Sequence, residues 1–513
     1  MNRFLLILTL GALAIRLAFI AIAPAVPPIV DLDSVDYDQI ARHVASGEGF
    51  GYGPGQLSSF RPPLYPLFLS VIYWVVGVNH GIVRILQAIL GAGLPAIVYL
   101  VARRKFPIQE AQVSAVLCAI YPALIGMSGA FLTEVIYIPL LALAILSLVL
   151  LEEQPTWGRV LISGILLGLT LLARTSSITL LCLLPFWMFW RFPNHFPPTT
   201  VGGNKRGVIG DFPPAIAGGN IRGVLIDFPP TTVGGKRRGV LKLRMMNFTK
   251  GVIIGIVAII TVLPWTARNW YVHHAIIPVS SNGGHIFWLG FNQLDRQANQ
   301  DFTRAELYRS EKGRKAKSEI YFQLSAEDNT LGFPILQRIY AERYPQYPIP
   351  PDEATLNSAY FARTVDFMKE HPAAVVVKII KDTLRVPYLF DHFGRYVISF
   401  GCLLPFLVAG LWITRKRWRE LSLFYVVFVS LWMLEVVFHP TPRFRLPYEP
   451  FMIPFAAAAG VALFWRWSWK HFFPYTIVGV VIAANLMFYV YSDSVRHIFR
   501  TLASALGLPV SPY

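Results

Sequence analysis

The segment Asp31-Leu32-Asp33-Ser34-Val35-Asp36-Tyr37 follows the first apolar segment of the chain, residues 4–26, after a short break. Further along, Arg61-Pro62-Pro63-Leu64-Tyr65-Pro66 places a basic residue in front of the next apolar segment. About 20 apolar residues are enough for a helix to cross a bilayer. Both quoted stretches are therefore expected to lie at a membrane surface, where an acidic cluster faces an arginine.

The composition of the whole chain indicates an all-α polytopic membrane protein. Of the 513 residues, 54% are hydrophobic and 15% are charged, and the mean hydropathy is +0.49. A formal net charge of +17 would favour nucleic acid in a soluble protein. Here the basic residues lie between apolar segments, where they set orientation in the membrane. We expect membrane lipids as partners and no nucleic acid.

About eleven apolar segments have the length and composition of membrane spans. They are residues 4–26, 80–102, 110–127, 131–151, 159–173, 175–191, 249–267, 395–414, 420–438, 447–465 and 472–491. Residues 62–77 are ambiguous, because they are apolar but short and begin with two prolines.

The distribution of basic loops decides the ambiguous segment. Short loops rich in Lys and Arg belong on the cytoplasmic side. The basic clusters are 103–105, 191–250, 415–419 and 466–470. All four fall inside only if residues 62–77 lie at the interface and do not cross. This topology predicts a multi-pass protein of the cytoplasmic (inner) membrane, with the N-terminus inside, the C-terminus outside and the active site on the outer face.

The same reading divides the chain into parts. An N-terminal membrane part, residues 1–191, includes a catalytic outer loop at 27–79. Residues 249–267 form a single span, 268–392 a small, mainly helical outer-face domain, 393–491 the last spans and 492–513 an outer-face tail. Within the outer-face domain, residues 373–386 have the pattern of an amphipathic helix lying on the bilayer.

Between two spans, residues 192–248 are predicted to be a flexible basic cytoplasmic loop. It contains a repeat with a period of 16 residues, marked by Phe196, Phe212 and Phe228, each followed by two prolines. Such a repeat is either a binding array or an inert insertion, and its Gly and Pro content favours the insertion. Deletion of 196–240 is expected to spare activity.

Asp33 is the first candidate for chemistry. Tyr37, Ile40, Ala41 and Val44 recur at helical spacing and Gly47 follows as a stop, so 34–46 should be a short amphipathic helix. Asp33 or Ser34 then suits the helix N-cap. Alternatively Asp33 is a base, because other carboxylates and an arginine are expected close by on the same surface.

Other polar residues are expected on this outer face. Glu134 begins an apolar span and is either a helix-dipole partner or a residue facing a cavity. Arg268 follows another span. Arg443 and Arg445 stand against the positive-inside tendency, so they either meet an anion or reach lipid phosphates by snorkelling.

In this order the residues resemble a family, the membrane glycosyltransferases of GT-C fold that include protein O-mannosyltransferases and the bacterial transferase that adds aminoarabinose to lipid A. The likeness rests on Asp33 with Tyr37 and Ile40-Ala41, on Arg61-Pro62-Pro63, on Glu134, on Pro264-Trp265 with Arg268-Asn269, and on Arg443-Phe444-Arg445-Leu446-Pro447. It covers most of the chain.

The resemblance implies an inverting transferase that moves a hexose or pentose from a polyprenyl-phosphate donor to a protein, lipid or glycan acceptor. It assigns catalysis to Asp33 and Glu134 and donor-phosphate binding to Arg61, Arg268, Arg443 and Arg445. Many members have Asp-Glu where this chain has Asp33-Ser34, so Asp31 or Asp36 could supply the second carboxylate, with Tyr37 as a further secondary residue.

Two other functions stay open at this point. A transporter or flippase of lipid-linked sugar would use the same arginines without chemistry, and an envelope polymer ligase would also use a lipid-linked donor. The cofactor is also open. A divalent metal could be held by Asp33, Glu134, His285 and His439, but their spacing does not require one.

Overall fold

The computed structural model describes residues 3–22, 32–191, 233–292, 344–387, 397–438 and 440–465, with isolated positions at 337, 340, 341 and 476. Within these residues the regular structure is helical, apart from one antiparallel bridge between Gly51 and Leu57. The prediction of an all-α fold is confirmed. Asp31, His439 and the predicted span 472–491 lie outside the described residues, as do the marker phenylalanines of the 16-residue repeat.

The helices follow one another with short connections. In the first half they are α1 (Arg3–Ile22), α2 (Leu32–Ala45), α3 (Leu64–Val76), α4 (His80–Lys105), α5 (Ile108–Ile120), α6 (Pro122–Gly126), α7 (Glu134–Glu153), α8 (Trp157–Ala173) and α9 (Ile178–Arg191). In the second half they are α10 (Val233–His273), α11 (Gly283–Asn292), α12 (Glu353–Glu370), α13 (Pro372–Arg385), α14 (Ile398–Thr414), α15 (Ser422–Val437), α16 (Pro442–Arg445) and α17 (Glu449–Trp465).

The protein is an integral membrane protein that crosses the bilayer several times. Each predicted span within the described residues coincides with a helix or a bent helix pair. By length and composition, five helices can cross a membrane, and a sixth span is formed if α5 and the bent segment after it act as one. The shorter apolar helices α3, α8 and α15 accompany them. The total of eleven spans stays a prediction.

Helix α7 is the centre of the bundle. Its residues Leu141, Ala142, Ala144, Ile145 and Leu148 are fully buried, and it packs against α4 and α8. An apolar helix that is buried on all sides has no preferred face and belongs in the core of a larger bundle. Around it, α8 packs closely on α10, since a Cβ at Gly168 would lie 2.5 Å from the Cβ of Thr261. Small residues allow such close helix contacts within membranes.

The two ends of α7 lie in different chemical surroundings. At its C-terminal end Glu152 pairs with Lys105 and Arg191, and Arg417 donates to the Lys105 carbonyl at 2.5 Å. Three of the predicted basic clusters are thus in contact at one end of the bundle. The other end of α7 begins with Glu134, and a helix of 20 residues is roughly 30 Å long, about the thickness of the hydrocarbon core.

Two predicted boundaries need correction. The loop assigned to 192–248 is too long, because α10 begins at Val233 and continues to His273, well past the predicted end at 267. Leu241, Leu243 and Met245 favour helix, and the basic residues between them do not stop it. Deletion of 196–240 would therefore remove the first turns of α10.

The predicted amphipathic helix at 373–386 is present as α13. Its charged residues Lys378 and Asp382 are buried and paired at 2.7 Å, and Lys378 also donates to the Val436 carbonyl of α15 at 2.6 Å. The apolar side chains of Val376, Ile380 and Leu384 are the exposed ones. This orientation fits a helix whose apolar face meets lipid.

Candidate active site

The amphipathic pattern of the second helix places Asp33. The predicted helix at 34–46 is observed as α2, with Tyr37, Ile40 and Ala41 buried. It ends before Gly47, which has φ 82°, in the left-handed region that glycine adopts without strain. Because α2 begins at Leu32, Asp33 lies in its first turn and its carboxylate is free to bind side chains from elsewhere.

The loop before α3 brings Arg61 to α2. Its backbone is held from outside: Arg268 donates to the carbonyls of Phe50 and Ser58 at 2.8 and 2.7 Å. Glu353 of α12 accepts from Ser58 Oγ at 2.5 Å and from the Ser59 amide at 2.9 Å. The loop that carries Arg61 is therefore fixed by residues that are distant in sequence.

Arg61 and Arg443 meet at Asp33. Arg61 Nη2 lies 2.7 Å from Asp33 Oδ1 and 2.5 Å from Asp36 Oδ2. Arg443 Nη1 donates to Asp33 Oδ2 at 2.5 Å, and its Nε donates to Glu134 Oε1 at 2.6 Å. The four segments that supply these side chains are far apart in the sequence, so the fold assembles the cluster.

A third arginine completes the cluster. Arg174, immediately after α8, is paired with Glu134 Oε1 and lies over the Phe444 ring at 4.9 Å from its centroid. We call Asp33, Asp36, Glu134, Arg61, Arg174 and Arg443 the charge network. Its three carboxylates and three guanidinium groups balance.

Arg174 is the member that the sequence did not single out. The sequence reading placed it near the outer end of a span, as a residue that could snorkel. The signal was its position: it ends a predicted span on the same predicted face as Glu134. A buried partner for it could not be identified from sequence, because the pair is 40 residues apart and is set by the packing of α7 on α8.

The accessible part of the charge network is formed by Asp33 and Arg443. Their side chains are 25% and 28% exposed, whereas those of Asp36 and Glu134 are 3% and 0% exposed. An incoming molecule therefore reaches Asp33 and Arg443 first. Glu134 begins α7, so it satisfies both sequence readings, as a helix-dipole partner and as a member of a buried cluster.

The two aspartates differ in protonation. Burial raises the pKa of Asp33, but the charges of Arg61 and Arg443 outweigh it, and the pKa of this carboxyl lies well below its usual range. For Asp36 burial dominates and raises the pKa to about 6, although Arg61 opposes the shift. Asp33 is thus ionised at neutral pH and ready to accept a proton or a hydrogen bond.

The other predicted residues have different surroundings. Tyr37 packs edge-on against Tyr65 at 5.3 Å and lies beneath Arg61. Arg268 holds the loop described above. Arg445 is 1% exposed; it donates to Glu449 at 3.0 Å and lies 3.5 Å from the Phe400 ring centroid. Donor-phosphate binding by Arg268 and Arg445 stays a prediction.

The question of a metal can be tested on the donor set. In the part of the chain that the structure describes, no group of three or more His, Cys, Asp or Glu side chains is arranged to hold a metal ion. The carboxylates of the charge network are bound by arginines instead. His285 packs against Tyr360, and burial, together with the charge of Arg61, lowers its pKa to about 4, so it is neutral at physiological pH.

Comparison with protein families gives a match to part of the chain. Residues 60–196 match the model of a family described as dolichyl-phosphate-mannose-protein mannosyltransferase. This segment contains Arg61, Glu134 and Arg174, whereas Asp33 and Arg443 lie outside it. The comparison with curated proteins found no match.

Solved structures give a match to the fold. The oligosaccharyltransferase of Archaeoglobus fulgidus in its apo form is 16% identical, with a TM-score of 0.50, and the match covers 96% of this chain and 55% of that one. The archaeal oligosaccharyltransferase AglB from the same organism, in complex with an inhibitory peptide and a dolichol-phosphate, is 14% identical, with a TM-score of 0.50 and coverage of 96% and 56%.

The chain thus spans about half the length of these structures. At this level of identity the likeness concerns the fold. Together with the helical architecture and the match over residues 60–196, it confirms the resemblance noted from the sequence: this is a membrane protein with the GT-C fold of glycosyltransferases.

Proposed function

We propose that this protein is a glycosyltransferase that moves a sugar from a polyprenyl-phosphate donor to an acceptor, with inversion at the sugar and with Asp33 as base. The observation that supports it best is the shared position of Arg443, which binds the exposed carboxylate Asp33 and the buried carboxylate Glu134 at once. A phosphate that enters here can exchange with a carboxylate on the same guanidinium fork, since both anions match its geometry.

The transfer itself is a single displacement. The acceptor oxygen forms a bond to the anomeric carbon while the bond from that carbon to the phosphate oxygen breaks. The proton of the acceptor passes to Asp33, and the electron pair leaves with the lipid phosphate. Arginines fixed before the reaction stabilise the charge that develops on the phosphate, and attack opposite the leaving group inverts the anomeric centre.

Arg61 and Arg443 are the best placed donor-phosphate ligands, because both contact Asp33 directly. Asp36 keeps Arg61 oriented through contacts at 2.5 and 2.6 Å. In this arrangement Glu134 holds Arg443 and Arg174. The assignment of Glu134 as a catalytic residue therefore becomes one of orienting the arginines that meet the phosphate.

The face of the membrane is part of the proposal. The charge network lies at the opposite end of α7 from the basic residues around Lys105, Arg191 and Arg417. If those residues are cytoplasmic, as the positive-inside tendency predicts, the site lies on the outer face of the cytoplasmic membrane. The acceptor is a protein, lipid or glycan on that side.

Substitution of Asp33 tests the proposal. Asp33→Asn in the purified full chain is expected to abolish sugar transfer from a polyprenyl-phosphate sugar, while the melting temperature changes little. Asp366→Asn is the matched control, because Asp366 pairs with Arg363 on the surface of α12 and is 45% exposed; it is expected to retain activity.

Two results would contradict the proposal. Full transfer by Asp33→Asn would remove Asp33 as the base. Movement of the lipid-linked sugar across reconstituted vesicles without any transfer would instead establish a flippase.

A further inference from the structure

A second arginine site lies behind the charge network, inside the membrane part. Arg16 is in the middle of α1 and is fully buried. Its Nη1 donates to the carbonyls of Ala12 and Ala119 at 3.1 and 3.3 Å. Nε and Nη2 have no hydrogen-bond partner among the described residues. A guanidinium group inside a membrane span is costly and marks function more often than packing.

Arg16 and Glu134 line the same cavity. The cavity has a volume of about 20 Å³ and is also lined by Gln87, Gly91 and Ser128. The Ser128 hydroxyl is buried and has no hydrogen-bond partner within the described part of the chain. Unpaired donors of Arg16, the hydroxyl of Ser128 and the carboxylate of Glu134 thus surround one space.

The walls of this cavity are built to keep the guanidinium group there. A Cβ at Gly91 would lie 3.0 Å from Arg16 Nε, so glycine permits the side chain to lie against α4. Gln87 donates to the carbonyls of Ser128 and Ala130 at 3.1 Å each and accepts from the Tyr65 hydroxyl at 2.7 Å. This holds the turn that carries Ser128 over the cavity.

Size and polarity indicate water as the occupant. A cavity of roughly 10–15 Å³ or more holds a water molecule when two to four polar groups can bind it. A water here would accept from Arg16, exchange a hydrogen bond with Ser128 and donate to Glu134. Arg16 then supports a carboxylate that is otherwise held by Arg174 and Arg443.

The need for this support arises when the donor binds. The charge network is balanced without Arg16, so a phosphate that takes Arg443 leaves Glu134 with one arginine fewer. We propose that Arg16 is a positioning residue that holds Glu134 through water bound in this cavity, and so allows Arg443 to move from Glu134 to the phosphate of the donor. The inference rests on the proposed function.

Binding of dolichyl phosphate, the lipid without a sugar, tests the inference in the purified full chain. Arg16→Gln is expected to weaken binding by about tenfold, the size of a typical coupling between contacting residues. In a Glu134→Gln background there is no carboxylate to support, so the same substitution is expected to change binding by less than about twofold. Arg16→Lys, which keeps the cation, is expected to restore part of the loss.

The outcomes separate this inference from the proposed function. If the unsubstituted protein does not bind dolichyl phosphate, the proposed function fails. If it binds, and Arg16→Gln binds equally well or is weakened equally in both backgrounds, Arg16 does not act through Glu134 and the inference alone is overturned.

A serine pair covers the case in which Arg16→Gln does not fold. Ser128→Ala removes a water ligand from the cavity and is expected to weaken binding. Ser147→Ala is its control, because Ser147 is buried in α7 and bonds to the Ala144 carbonyl and to Ser163. Equal binding by the two serine variants would overturn the inference.

Discussion

Arg443 is the residue whose replacement tests the charge network most directly. It is the one side chain that links Asp33 to Glu134, at 2.5 and 2.6 Å, among the residues that the structure describes. Arg443→Gln removes the positive charge and leaves Asp33 with Arg61 and Glu134 with Arg174. Arg443→Lys keeps the charge but cannot form a planar fork to two carboxylates.

The magnitude follows from burial. Removing one partner of a buried ion pair costs about 3–5 kcal/mol. Glu134 is 0% exposed but Arg443 is 28% exposed, and both carboxylates keep a second arginine. The lower value therefore applies, and Arg443→Gln is expected to reduce the free energy of unfolding by about 3 kcal/mol.

A double substitution makes the test specific. In Arg443→Gln with Glu134→Gln, one charge of each sign is lost and the network is balanced again. The double variant is expected to be more stable than the sum of the single effects by about 1–2 kcal/mol. Unfolding of the purified protein by SDS in mixed micelles, followed by tryptophan fluorescence, measures the three free energies.

Transfer activity gives the second readout. All three Arg443 variants are expected to lose transfer, since the phosphate loses its most accessible guanidinium group. Strictly additive stability effects, or an Arg443→Gln variant as stable and active as the unsubstituted protein, would refute the geometry described for the network.

Three further outcomes follow from the structure. Arg268→Lys is expected to speed hydrogen–deuterium exchange of the backbone at 50–61, because lysine cannot replace the three contacts of the Arg268 fork with Phe50, Ser58 and Ser59; unchanged exchange would leave direct phosphate binding as its role. The pKa of Asp36 is raised to about 6, above the unfolded value, so ionisation is disfavoured in the folded state; the melting temperature of the protein relative to Asp36→Asn is expected to fall as pH rises from about 4 to about 6, and a parallel pH dependence would contradict this. Deletion of 196–232, which stops short of α10, is expected to leave transfer unchanged in a vesicle assay, and a loss of transfer would give the repeat a function.

Several features could be predicted from the sequence because they depend on local patterns. Apolar length places the membrane helices, helical spacing and Gly47 define α2, and the charged stripe of α13 defines its buried face. The positive-inside tendency grouped Lys105, Arg191 and Arg417 on one side, and the structure brings these residues to one end of the bundle. Each of these signals can be read within one segment or from the order of segments.

What the sequence by itself determined is therefore the class of protein, the course of its helices and the presence of acidic and basic residues beside the membrane. Only the tertiary structure decided their partners. Asp33 and Arg443 are 410 residues apart, Arg174 had no distinguishing local pattern, and Arg445 carries the same charge as Arg443 but faces Glu449. Side-chain pairing between distant segments depends on how helices pack, because a difference of one or two positions along a helix turns a side chain toward a different neighbour.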